Sequence, residues 1–268
     1  MHGLGNDFIV LNAIEEKVSL TVEQIRFLSD RKHGIGFDQL LIVEPSDSAD
    51  FKYRIFNANG YEVEQCGNGA RCFADYVLRK GLTDKTQIDV ETYTRLIRIS
   101  QSEPGQYAVD MGVPVFIPGE VPFMTPYPQS IEYPVMVMGK EYLLGVLSVG
   151  NPHAVLLVDQ LENAPVAELG PAIERHADFP AGVNVGFLQV ISRNEAKLRV
   201  WERGVGETQA CGTGACAAMI SGKQRGLFDE QVLLHLLGGD LQLSWPGVGE
   251  SVTMSGPAAY VFDGVIEV

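Results

Sequence analysis

The sequence lacks any apolar run long enough to cross a bilayer: its longest, "LLGVLSVG" at residues 143–150, falls well short of the ~20 residues a spanning helix needs. Positive charge is also scarce. Twenty Lys and Arg stand against 34 Asp and Glu, a net charge of −14, and a surface of that sign repels phosphates, which argues against nucleic acid and anionic membrane as partners. Only four cysteines occur in 268 residues, too few to staple a chain of this size, so a reducing cytoplasm is the expected setting. The opening "MHGLGND" has neither the basic start nor the apolar segment of a secretory leader. No low-complexity segment is visible.

What is present is a globular composition, 46% hydrophobic, in a chain long enough for two compact lobes. Short runs rich in branched and aromatic residues read as strands at 7–13, 38–44, 53–58, 106–112, 132–139, 153–159, 184–192, 197–204, 240–245 and 258–268. Four segments read as helices. Thr21 and Gln24 stand in capping-box spacing at the head of the first. A second is expected over about Ala70–Lys80, stopped by Gly81, a third within 166–179, and a fourth over about Ala215–Arg225, stopped by Gly226. Residues 114–134 carry six prolines and no period, which marks them as the candidate linker.

The informative feature is a repeat. "QCGNGARC" at 65–72 and "ACGTGACA" at 210–217 place Cys66 and Cys211 in the same glycine-flanked setting, 145 residues apart. The same shift relates Gly67 to Gly212, Gly69 to Gly214, Gly81 to Gly226, Asn6 to Asn151, Gln39 to Asn184 and Asn57 to Glu202. One register held over so much chain points to two lobes of one ancestral design. The expected division is an N-terminal lobe over 1–115, a C-terminal lobe over 116–256, and a strand over 257–268 that returns to the first lobe.

Each cysteine precedes a helix start, where unpaired N–H groups and the helix dipole favour an anion. That field is worth up to about 2 kcal/mol, enough to bring a thiol from about 8.5 to about 7.5. If the two lobes face one another, one thiolate removes a proton from one face of a carbon and the other thiol delivers one to the opposite face. Such a two-base inversion needs no cofactor, provided that the helix starts stabilise the charge arriving on an adjacent carboxylate.

The segments "HGLGNDF", "GFDQLL", "YRIFNANG", "QCGNGARC", "GNPHAV", "NVGF", "WERGVGETQACGTGAC" and "GPAAYVFDG" resemble diaminopimelate epimerase over nearly the whole chain. The resemblance implies an α/β (α+β) fold of two pseudo-symmetric lobes, each a β-barrel-like sheet around a central helix, with the active site between them. It implies a cytoplasmic, cofactor-independent, metal-free homodimer that interconverts LL- and meso-2,6-diaminopimelate on the bacterial route to lysine and peptidoglycan. Cys66 and Cys211 match the acid/base pair, and His153 and Glu202 match positions that support catalysis. Gly67, Asn68, Gly212 and Thr213 match the carboxylate-binding helix starts. Asn6, Gln39, Asn57, Asn151, Asn184, Glu202 and Arg203 fall on substrate-contact positions. Arg203 suits a two-pronged grip on a distant carboxylate, and Glu202 suits an ammonium. Three features depart from the pattern: few residues precede "HGLGND", "ETYTRL" (91–96) stands where a glycine-containing turn is expected, and Phe262 stands where the family often has a tyrosine at dimer contacts.

Other readings compete for the same residues. Cys72 and Cys216 suggest a four-cysteine zinc site, but at ~100° per residue they lie about 240° and 140° around their helices from Cys66 and Cys211, and read better as packing groups. "GTGACA" fits a dinucleotide fingerprint without the strand or acidic residue that would complete it. A proline or hydroxyproline racemase uses the same two-thiol logic, but its substrate offers Arg203 no second head group. A redox pair formed by Cys66 and Cys211 is the remaining option. His2, His33, His176 and His235 have no repeat partner and read as structural or surface residues.

Overall fold

The computed structural model describes residues 1–63 and 66–267. Met1–Asp110 together with Ser255–Val268 form one compact unit, and Met111–Met254 form the other. Among the described residues no helix is long and apolar enough to cross a membrane.

In the first unit, β1 (His2–Gly3) and β2 (Asn6–Asn12) form a hairpin, and α1 (Val22–Ser29) leads to β3 (Gln39–Glu44), parallel to β2. The Thr21 capping box that starts α1 is present in both directions. β4 (Phe51–Asn57) runs antiparallel to β3 and pairs with β5 (Glu62–Val63) and, in parallel, with β6 (Gln87–Glu91). β7 (Leu96–Glu103) and β8 (Gln106–Asp110) complete a meander. "ETYTRL" closes the β6–β7 hairpin without a glycine: the Thr92 N–H and hydroxyl both donate to the Arg95 carbonyl. The returning chain joins the two edges. Ala258 N–H donates to the Gly105 carbonyl, and Ala259 pairs with His2. Inside this curved sheet lies α2 (Gly67–Arg79), packed on β1, β2, β3, β7 and β8 and buried without interruption from Gly67 to Val77. A helix enclosed on all sides needs apolar or satisfied residues all round, and Ala70, Cys72, Phe73, Ala74 and Val77 supply most of them.

The second unit repeats the plan. β9 (Tyr133–Val137), β10 (Lys140–Ser148) and β11 (Pro152–Leu157) are antiparallel neighbours. α3 (Val166–Glu174) leads to β12 (Asn184–Ser192), parallel to β11. β13 (Glu195–Glu202) pairs with β12, β14 (Gly206–Thr208) and β15 (Gln231–Leu236), and β16 (Gly239–Ser244) pairs with β15. α4 (Gly212–Gln224) occupies the middle, packed on β10, β11, β12, β13, β15 and β16.

The 145-residue shift survives in the hydrogen-bond register. Phe8 faces Gln39 as His153 faces Asn184, and Leu40 faces Phe56 as Val185 faces Trp201. α2 and α4 are both 13 residues long and begin at shifted positions.

Several sequence expectations change. Both cysteine helices start three residues earlier than periodicity suggests, because their first turns are glycine-rich and carry no apolar signal. The proline-rich stretch is no linker: Val121 and Phe123 are buried in the core of the second unit, where Phe123 stacks on Phe179 and meets Tyr133 edge-on, ring centroids 4.8 and 4.9 Å apart. The strand expected over 258–268 is reduced among its described residues to the single bridged Ala259; β17 (Thr253–Pro257) precedes it. Besides β17, strands β6, β7, β10 and β15 and the short β1, β5 and β14 arise where no strand is expected from sequence.

Candidate active site

Every residue expected at the site falls at a strand end, in an adjoining turn or on the first turn of a central helix. In the first unit Cys66 is the N-cap of α2, in extended backbone. The first helical bond is Ala70 N–H to the Cys66 carbonyl, so the N–H groups of Gly67, Asn68 and Gly69 precede the helical ladder and face away from it. The Cys66 thiol lies 3.7 Å from Asn6 Oδ1, which also accepts from Asn68 Nδ2 at 3.4 Å. Asn68, 1% exposed, is held from behind by Arg71, whose Nη2 donates to its Oδ1 at 2.9 Å. Asn6 is steadied through Nδ2, which donates to Asp38 at 3.0 Å. Asp38 and Asp7 share Arg31. Partial burial pushes the Asp7 carboxyl up, but the hydrogen bonds and charge of Arg31 together with hydrogen bonds from Asp38, whose N–H donates at 2.8 Å, outweigh it and hold the group below its usual range.

Gln39 and Asn57 are cross-strand partners, and Gln39 Nε2 donates to Asn57 Oδ1 at 2.8 Å. Gln39 Oε1 is buried with no hydrogen-bond partner among the described residues, an acceptor that costs stability until something donates to it. Gly69 is required. A Cβ there would sit 2.5 Å from the Tyr53 hydroxyl, which donates to the Cys66 carbonyl at 3.3 Å and whose pKa burial raises well above the usual phenol value.

In the second unit Cys211 is the N-cap of α4, and its sulfur accepts the Gly214 N–H at 3.3 Å and lies 3.6 Å from Thr213 Oγ1. Gly212 and Thr213 supply the N–H groups ahead of the ladder. Asn151 and His153 meet at 2.9 Å, Oδ1 to ring Nε2. His153 is 1% exposed; burial first, and the Arg203 charge second, push its pKa down to about 3. Its imidazole is therefore neutral at physiological pH. Asn184 is buried; it donates to the Pro152 carbonyl and accepts the Arg203 N–H, both at 3.0 Å. Glu202 accepts from the Thr208 hydroxyl across the β13–β14 hairpin. Arg203 is exposed, with Nη1 donating to the Ala181 carbonyl at 2.9 Å.

Cys72 and Cys216 are fully buried, and burial raises Cys72 to about 12. Neither faces these groups as a reactive thiol. Arg31, Asp38, Tyr53, Arg71 and Glu174, all bonded to site residues or to their neighbours, go unrecognised in the sequence. Asp38 alone had a readable signal, its place beside Gln39.

The family model for diaminopimelate epimerase matches residues 1–117 and 145–261. The chain belongs to the diaminopimelate epimerase family. It is 54% identical over 269 residues to the diaminopimelate epimerase of Teredinibacter turnerae, covering 100% of this chain and 97% of that one. The diaminopimelate epimerase of Thioalkalivibrio sulfidiphilus is 55% identical over 272 residues, with 100% and 98% covered. The fold is shared more widely. A hydroxyproline epimerase from Agrobacterium vitis aligns with a TM-score of 0.68 at 18% identity over 96% of this chain and 87% of its own. A phenazine biosynthesis protein from Bacillus anthracis aligns at 0.65 and 16% identity, covering 99% and 95%. Residues 118–144, outside the family match, include most of the proline-rich segment, with its buried Val121 and Phe123, and β9.

Proposed function

We propose that this member of the family interconverts LL- and meso-2,6-diaminopimelate by a two-base inversion in which Cys66 and Cys211 act as thiolate and thiol. The observation that carries the mechanism is the doubling of one device: in each unit a cysteine caps a buried helix on the same strand register. The reaction requires the two sulfurs to be presented to opposite faces of a single α-carbon. The thiolate takes the α-hydrogen, the electron pair is held through the adjacent carboxylate, and the second thiol delivers a proton from the other side.

A thiolate is a weak base for a C–H bond, so the carbanionic charge must be stabilised. The helix-start N–H groups of Gly67–Asn68 and Gly212–Thr213 are fixed donors of the kind whose removal costs about 3–4 kcal/mol of transition-state stabilisation. Asn6 and Asn151 bind the reacting amino-acid head. His153, neutral and buried, transfers no proton; it fixes the Asn151 amide by occupying its Oδ1, which leaves the Nδ2 hydrogens for the substrate. Gln39 Oε1 accepts from an ammonium, which supplies the donor this buried oxygen lacks. Asn57, Asn184, Glu202 and Arg203 hold the distal head, Arg203 through its carboxylate and Glu202 through its ammonium. A substrate with one amino-acid head leaves that grip empty, which favours diaminopimelate over a proline analogue. The chemistry calls on no cofactor. The setting is the cytoplasm of a bacterium, where the product feeds lysine and peptidoglycan, and the working species is a homodimer.

The test is incubation with LL-diaminopimelate in heavy water, followed by stereochemical and mass analysis. The meso product should carry one deuterium at the inverted carbon. Epimerisation without exchange of that hydrogen rules out the mechanism.

A further inference from the structure

One buried carboxylate takes no part in this chemistry yet touches both sides of the Glu202–Arg203 pair. Glu174, 7% exposed, is the last residue of α3. Its Oε2 accepts the Trp201 indole N–H at 2.7 Å, and its Oε1 accepts the Gly204 backbone N–H at 2.8 Å. Both oxygens are used, and the residues they hold flank Glu202 and Arg203 in the chain. Gly170, one turn earlier on the same face of α3, lies under the Trp201 ring so closely that a Cβ there would come within 2.6 Å of it. The loop after α3 supports Arg203 directly: the Ala181 carbonyl accepts from Nη1, and a Cβ on Gly182 would sit 2.9 Å from Arg203 Cδ.

The first unit holds the equivalent turn in the same way with opposite polarity. Ser29, which the 145-residue shift places on Glu174, donates to the Ala58 carbonyl at 3.1 Å, and Arg26 donates to the Asn59 carbonyl at 2.8 Å. In both units the helix that precedes the second parallel strand fastens the turn after the third. Only in the second unit is the fastener a buried carboxylate that accepts from two donors, and only there does the turn carry a charged pair.

We infer that Glu174 is the positioning residue for Arg203: by fixing Trp201 and Gly204 it aims the guanidinium at the distal carboxylate and so contributes to selection of a two-headed substrate. The inference rests on the assignment of Arg203 to that carboxylate. Glu174→Gln tests it, because the amide keeps the shape but turns an NH2 towards one of the two N–H donors and loses that bond. KM for LL-diaminopimelate should rise about tenfold with kcat within about threefold, as expected for one hydrogen bond to a charged group lost from a binding element. The Glu174→Gln/Arg203→Ala double variant should be no worse than Arg203→Ala, because a residue that acts through Arg203 has nothing left to position. Losses that multiply, or an unchanged KM in a folded Glu174→Gln protein, overturn the inference. Should that variant fail to fold, Trp201→Phe, which removes one donor and leaves the Gly204 bond, carries the same double-variant test. An Arg203→Ala protein with normal KM would instead remove the assignment of Arg203 itself, and the two failures are thereby told apart.

Discussion

The ring Nε2 of His153 lies 2.9 Å from Oδ1 of Asn151, two residues earlier in the turn that leads into β11. The amide oxygen is an acceptor, so the ring nitrogen facing it carries the hydrogen. Burial keeps the rest of the imidazole neutral, and this has a consequence for stability. The folded-state pKa is about 3 against an ordinary 6.5, so below about pH 6.5 the unfolded chain binds a proton that the folded chain refuses. Stability is complete above pH 6.5 and declines as the pH falls towards 3. The melting temperature of a His153→Gln variant should fall less steeply between pH 6.5 and 4 than that of the parent. Parallel profiles would mean that this histidine does not carry the effect.

Each cysteine is expected to be indispensable on its own. Cys66→Ala and Cys211→Ala should each lose at least about 100-fold in kcat for epimerisation, the lower range for removal of an acid/base group, with circular dichroism unchanged. Either variant at near-normal turnover would take its cysteine out of the pair.

Gly69→Ala should destabilise the first unit by about 1–3 kcal/mol, the usual cost of overpacking, because its Cβ meets the Tyr53 hydroxyl. Tyr53→Phe in the same chain should recover part of that loss by removing the obstructing oxygen. Urea denaturation measures both, and a double variant no more stable than Gly69→Ala alone would place the conflict elsewhere.

Phe123→Ala should cost about 3–5 kcal/mol, as for other buried aromatic truncations, since its ring is packed between Tyr133 and Phe179. A loss below about 1 kcal/mol would return the proline-rich segment to the status of a surface connection.

The duplication was legible because a helix start with a cysteine needs the same glycines wherever it occurs. Gly69 leaves no room for a Cβ, and Gly214 is nearly as tight, with the Val200 side chain 3.1 Å from where its Cβ would lie. The asparagines and Gln39 stood out through their places in the repeat and the family resemblance; alone, an amide beside a strand has many uses. The residues that hold the site were invisible for a different reason. Glu174 lies 27 positions from Trp201 and 30 from Gly204, and no local pattern links a helix end to so distant a turn. The proline-rich stretch misled because proline limits backbone freedom without saying whether Val121 and Phe123 between the rings are buried.

Phe8 with Gln39, and His153 with Asn184, occupy corresponding rungs of their respective ladders. Side chains alternate across a strand, so gaining or losing a single residue within either ladder would swing the amide to the opposite surface. Evolution has been free to exchange glutamine for asparagine at one rung, and asparagine for glutamate at another, while the count of residues between rungs has stayed put. Chemistry can diverge between the copies; chain length inside the ladders cannot.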